Sequence, residues 1–155
     1  ITLTVARQLC EDSMSGAQYP AQVRLAVNGG EFNGCGGDPQ RLFRGAEWVV
    51  EDLAGSGIID RSQITIKFLE DNRIAGRSSC SGYTGSDKIG VEEIAVGQEA
   101  IIRKACAPAL MGQEDRFLNR LASVASAKIG RQGELRLTTQ KDITIRAFQS
   151  DHVSP

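Results

Sequence analysis

One histidine, His152, serves the whole chain of 155 residues, and it lies in a polar C-terminal stretch. That scarcity excludes Ser-His-Asp and Cys-His arrangements, which need an imidazole beside the nucleophile. Long apolar runs are missing as well. The longest, such as Trp48-Val49-Val50 and Ile101-Ile102, fall far short of the roughly 20 residues that span a bilayer as a helix. Neither sign of charge is in excess: 18 Lys and Arg face 19 Asp and Glu, for a formal net charge of -1. The concentrated positive charge of a nucleic-acid binder or an anionic-membrane surface is therefore absent. No C-x-x-C pair supports a zinc ribbon or a thioredoxin-like centre. Phosphate-binding glycine motifs and the S-x-x-K motif are also lacking. Asp60, Asp71 and Asp87 do not follow the spacing of a calcium loop. Glu92 and Glu93 are adjacent, so on a strand they point to opposite faces and cannot share a site. Glu114 and Asp115 read as a solvated helix surface. Neither an enzyme, a cofactor nor a metal site is expected.

What is present describes an ordinary folded chain. Hydrophobic residues make up 41% and charged residues 24%, enough to bury a core in one domain, or in a domain with an appended subdomain. The four cysteines, Cys10, Cys35, Cys80 and Cys106, allow three pairings. Pairing by neighbourhood gives Cys10–Cys35 and Cys80–Cys106, each closing a loop of about 25 residues, worth roughly 3–4 kcal/mol in the chain-entropy model. Disulfides imply an oxidising compartment; the alternative is four reduced, buried thiols in a cytosolic protein. The chain opens on Ile1, and Ile-Thr-Leu-Thr-Val reads as the middle of a strand. A leader, a lipid anchor or more of the domain is expected before it.

Residues 1–37 form a first block. Ile1, Leu3 and Val5 alternate with threonines as in a half-buried strand, Val23, Leu25 and Val27 mark a second strand, and Asn28-Gly29-Gly30 is a turn signal. Residues 38–45 read as a linker, 46–148 as the main domain and 149–155 as a tail. Glu47–Leu53 predicts a strand carrying Trp48. Ile64, Ile66 and Phe68 predict another, turning at Glu70-Asp71-Asn72 into Arg73–Arg77. The glycine- and serine-rich stretch 76–90 reads as loop, and 91–102 as extended with a turn near Gly97. Phe117, Leu118, Leu121, Val124 and Ala125 share one face of a helix predicted from Gln113 to Lys128. A closing hairpin is expected around Gln140-Lys141-Asp142. The resulting class is α+β, mostly β.

The order of these features carries a likeness. Glu47-Trp48-Val49-Val50 is followed by Ile64–Phe68, then Ser79-Cys80-Ser81-Gly82-Tyr83-Thr84-Gly85, then Arg103-Lys104-Ala105-Cys106, then the helix and Leu135-Arg136-Leu137. This resembles the META domain, or HslJ-like, family. Two departures stand out: Ser79-Cys80-Ser81 replaces the usual Gly-Cys-Asn, and Ile102-Arg103-Lys104-Ala105-Cys106 replaces the usual Thr-x-Met-Ala-Cys. The first block, through Cys10–Gly16, Tyr19-Pro20 and Gly34-Cys35-Gly36, resembles the C-terminal end of an uncharacterised bacterial envelope domain. The resemblance implies a small antiparallel, barrel-like β-structure with one packed helix. It also implies a periplasmic or outer-membrane-associated protein, often a lipoprotein, tied to stress, antibiotic tolerance or virulence and without an established catalytic mechanism.

Under that reading the protein is non-catalytic and binds an envelope protein or small ligand, with no nucleic-acid partner and with membrane tethering through an upstream lipid as an option. The alternative is an inhibitor of a hydrolase such as lysozyme or a protease. The loop of Ser81, Tyr83 and Thr84 is the candidate contact surface, because a disulfide at Cys80 would stiffen it and Tyr83 offers an amphipathic ring at low entropy cost. The competing reading has Tyr83 covering the core beside the disulfide.

Overall fold

The structure, a computed structural model, describes residues 1–53, 55–91 and 93–150. Its largest element is a nine-stranded antiparallel sheet. Glu47–Leu53 forms β6, flanked by the short Ser56–Gly57 strand β7. Thr65–Leu69 (β8), Arg73–Arg77 (β9), Gly82–Ile89 (β10) and Ile94–Ile101 (β11) follow. After the helix come Val124–Ile129 (β12), Leu135–Thr139 (β13) and Thr144–Gln149 (β14). The spatial order is β11-β10-β9-β8-β6-β14-β13-β12, with β7 beside β6. The two ends curl towards each other until Glu93 bridges Ser126, so the sheet is a nearly closed barrel.

Alternation along the strands explains the closure. Trp48 and Val50, Ile64, Ile66 and Phe68, Leu135 and Leu137, and Ile145 and Ala147 all point inward and form one buried cluster. The indole of Trp48 donates to the Phe43 carbonyl at 3.0 Å, which satisfies its one polar atom. At the β8–β9 turn Asp71 and Asn72 take φ of 63° and 58°, within the three residues 70–72 that join Leu69 to its partner Arg73. Gly76 on β9 sits where a Cβ would run into the Thr65 carbonyl and the Tyr83 hydroxyl; only glycine lets the strands pass this closely.

Helix α1 spans Pro108–Leu121, five residues earlier at its start than the sequence indicates and ending well before Lys128. Pro108 at the first position is pre-set for helical φ, a signal that the apolar count missed. At the other end the Ala122 amide donates to the Leu118 carbonyl and the Ser123 amide to that of Arg120, closing the last turn. Val124–Ile129 then pairs with β13 as a strand. Its Ala127 and Ile129 pack on the core while Ser126 and Lys128 face out, a period of two hidden by small residues that also suit helices.

Within the stretch 76–90 the loop is 78–81, and Gly82–Ile89 is the strand β10. Tyr83, Asp87 and Ile89 face inward along β10, and the inward aspartate breaks the apolar alternation. β11 runs through Gly97 with a register shift opposite Thr84 and Ser86, in place of a turn. Glu92 and residues 151–155, with His152, lie outside the described residues.

The first block makes a separate three-stranded sheet of Thr2–Ala6 (β1), Ala21–Val27 (β4) and Gly30–Gly36 (β5), in the order β1-β4-β5. Asn28 and Gly29, with φ of 44° and 81°, form its hairpin turn. Between β1 and β4, Cys10–Glu11 (β2) pairs with Gln18–Tyr19 (β3). β1 exists as expected, but all five of its residues are exposed, not half-buried.

Two contacts fix this block to the barrel. The Gln18 side-chain amide donates to the Ile129 carbonyl at 2.7 Å while the Ile129 amide donates back to Gln18 Oε1 at 2.7 Å, extending β12 by one artificial rung. The segment read as a linker is itself packed: Pro39–Leu42 is a 3-10 turn capped by Asp38, Phe43 lies edge-on to Phe68 with ring centroids 6.2 Å apart, and Arg44 is buried.

At the β12–β13 turn, Glu134 is buried and its carboxylate accepts from the Gln132 amide at 3.0 Å and from Arg136. Burial pushes this carboxyl up, but the backbone amides and Arg136 outweigh it and hold it below its ordinary 4.5. Asp12, held by the Met14 amide and Ser15 hydroxyl, and Glu70, held by Arg41, are lowered in the same direction. A carboxyl with a depressed folded value adds stability above its unfolded value and loses it as pH falls through the folded one. Urea unfolding at about pH 6 and about pH 3.5 therefore shows a loss on acidification, and Glu134→Gln shows a smaller loss over the same interval.

Candidate functional site

Of the residues singled out by the sequence, Cys80, Ser81, Tyr83 and Cys106 lie beside α1, while Cys10 and Cys35 belong to the N-terminal block. Both disulfides form as neighbourhood pairing indicates: Cys10 with Cys35 and Cys80 with Cys106, with Cα separations of 5.5 Å and 6.3 Å. No free cysteine is left. The Cys80 bond ties the loop between β9 and β10 to the segment that enters α1.

The loop itself is turned inward. Ser81 is buried, and its hydroxyl accepts from the Lys104 amide at 3.1 Å. Tyr83, 2% exposed, donates from its hydroxyl to the Thr65 carbonyl at 2.8 Å and meets the Phe117 ring edge-on at 5.7 Å. Thr84 alone of the three candidate contact residues is exposed, on the outer face of β10. Ser81 and Tyr83 therefore cannot serve as a contact surface in this fold: β10 puts every second side chain inside, and Tyr83 takes the inward position. The reading of Tyr83 as core cover is the one the structure supports.

What holds the loop was not among the candidate residues. Glu114, read as a solvated first-turn residue, is buried on α1. Its Oε1 accepts from the Ser78 hydroxyl at 2.7 Å, the Ser81 amide at 2.9 Å and the Cys80 amide at 3.3 Å. Arg103 approaches its other oxygen at 3.6 Å and pairs with the exposed Asp115 at 2.8 Å. Neighbouring Gln113 accepts from the Ile59 amide at 2.9 Å and donates to Ser62 and Ser79 at 2.9 Å and 3.1 Å. One turn of helix thus ties together two irregular loops, the largely exposed 59–62 and the buried 78–81, through backbone amides and serine hydroxyls.

A second polar centre lies where the former linker meets β10. Arg44 and Asp87 form a fork-to-fork pair at 2.6 Å and 3.2 Å, with side chains 2% and 0% exposed. Arg44 also donates to Gln40 Oε1, Asn72 Oδ1 and the Leu69 carbonyl, so its guanidinium is saturated. No sequence motif marks this pair: Arg44 follows the 3-10 turn and Asp87 stands between Ser86 and Lys88, so nothing local sets either apart. Among the described residues no cluster of three His, Cys, Asp or Glu could hold a metal ion, and no helix is long and apolar enough to cross a membrane.

The chemistry of both centres is structural: each acid is consumed by fixed donors. Two disulfides in a chain of this size point to an oxidising, extracytoplasmic environment. Two solved structures share the fold. An NMR structure of a protein from Burkholderia xenovorans is 17% identical with a TM-score of 0.59, covering 81% of this chain and 99% of that one. A second NMR structure is 22% identical with a TM-score of 0.60, covering 77% and 100%. No curated protein matches. The META domain profile matches residues 40–152, beginning inside the 3-10 turn that feeds Arg44 into the barrel, and the chain belongs to the META domain family.

Proposed function

We propose that this chain is a non-catalytic envelope module that serves stress or antibiotic tolerance by binding a protein partner through its N-terminal sheet. One observation carries the reading. On β1-β4-β5, Leu3, Val5, Val23, Leu25 and Phe32 share one face by register, and Leu3, Val5 and Phe32 are 63%, 58% and 64% exposed. The opposite face carries polar pairs such as Arg24–Glu31 at 2.8 Å and Gln8–Gln22 at 2.6 Å. An antiparallel sheet normally turns its apolar side to a core, and a contiguous bare patch marks an interaction surface. Among the described residues β1 pairs on one side only, with β4, so an extended apolar segment of a partner could add a strand while covering the face.

The enzyme reading gains nothing from Glu114 or Asp87, whose oxygens are already held. The inhibitor reading depended on a rigid plug at residues 80–84, and Ser81 and Tyr83 of that loop lie inside. The test is capture from envelope extract, identification of the captured protein, and titration with that protein purified. Saturable binding to wild type and to Thr84→Glu, lost in Leu3→Glu/Phe32→Glu, supports the proposal. Equal binding by all variants refutes it. Concentration-dependent dimerisation lost in the double variant would assign the face to a second copy instead.

A further inference from the structure

We infer that the outer face of the barrel carries a binding site for a phosphate-bearing ligand across β12, β13 and β14. Lys128 lies directly opposite Arg136, and Arg136 directly opposite Arg146, so three cations stand in one row on three adjacent strands. Neighbours in such a row are about 5 Å apart, and like charges placed so are destabilising unless something offsets them. The protein offsets them incompletely. Arg136 is paired with Glu134 at 3.0 Å. Among the described residues Arg146 has one ion pair, with Asp52 at 3.7 Å, and both Arg146 Nε and Asp52 Oδ1 are buried without a hydrogen bond. Among the described residues, Lys128 and Arg131 make no ion pair.

The row borders a groove of about 580 Å³, with Arg131 on the β12–β13 turn beside it. Four cations, Lys128, Arg131, Arg136 and Arg146, line it against two carboxylates, Glu11 and Glu134. Glu134 is already held by Arg136 and the Gln132 amide, and Glu11 is exposed at the N-terminal hairpin. A smaller space on the far side of Arg136 and Arg146 includes Asp52 and Asp142, and its carboxylates would repel an anion. The favoured position is therefore the first groove. There the half-exposed guanidinium groups of Arg136 and Arg146 stand on neighbouring strands, where a phosphate would share Arg136 with Glu134, and Lys128 and Arg131 add charge at the rim.

The site shares no residue with the apolar sheet proposed for protein contact, so the two stand or fall separately. The probes are inorganic phosphate, pyrophosphate, and vesicles with and without phosphatidylglycerol, each at matched ionic strength set with chloride so that general screening is constant. Amide shifts of 128, 131, 136 and 146 are expected to move saturably with phosphate or pyrophosphate, and Arg136→Gln/Arg146→Gln to weaken affinity at least about tenfold, the loss of two charge-assisted contacts. Because those arginines pair with carboxylates, Lys128→Gln/Arg131→Gln is the second variant; it is expected to weaken binding while leaving the fold intact, as Lys88→Gln should leave both unchanged. Binding only to phosphatidylglycerol vesicles, with the same variant dependence, identifies a lipid headgroup as the source of the phosphate. No saturable response to any probe, or equal binding by all variants, overturns the site.

Discussion

Asp87→Ala is expected to lower the unfolding free energy by about 3–5 kcal/mol, because it strands the Arg44 guanidinium inside the barrel without its counter-charge. Arg44 is 2% exposed at the side chain and cannot swing into water without carrying Phe43 and the 3-10 turn with it. Coulomb attraction in the pair only roughly offsets the desolvation of both ions, so the pair itself adds little; the damage comes from breaking it. The companion Arg44→Met/Asp87→Leu removes both charges at similar volume and should therefore be less destabilised than Asp87→Ala alone. Urea unfolding of the three proteins gives the comparison. A loss under about 1 kcal/mol for Asp87→Ala would show that water reaches the site and that the pair is not sealed.

Glu114→Ala carries the second large effect, about 3 kcal/mol or more. One carboxylate oxygen serves the Ser78 hydroxyl and the Ser81 and Cys80 amides, and each buried donor left without an acceptor costs about 1–3 kcal/mol. Glu114→Gln keeps an oxygen in place and should be milder. Hydrogen exchange at the Cys80 and Ser81 amides separates this local role from a general loss of packing: it should accelerate in Glu114→Ala more than at β13 amides. Uniform acceleration would mean that the loop is held chiefly by its disulfide.

Much of the barrel was legible from local rules. Trp48 on β6, the β8–β9 hairpin through Asp71-Asn72, the β13–β14 hairpin and both cysteine pairs follow from alternation, turn chemistry and chain proximity. The failures share a cause. β10 was hidden because Asp87 occupies an inward position, and the value of that position depends on Arg44, forty-three residues earlier. Glu114 read as surface because nothing local reveals the Ser78–Ser81 loop folded over it. The end of α1 was missed because Ala125 and Ala127 suit a helix and a strand equally, and β13 decides between them. The glycines and serines around Tyr83 suggest a loop and leave its side open between contact and core cover; pairing to β9 and β11 makes it a strand residue and decides for the core. Local patterns set the elements; partners distant in sequence set which polar residues go in.

The Gln18 amide seated on Ile129 has a consequence for keeping molecules apart. β12 ends the barrel sheet, and its backbone would otherwise offer free donors and acceptors on which an identical strand from another molecule could template itself. A side chain from the first block occupies that rung, so the N-terminal segment blocks strand addition at the Ile129 end of β12.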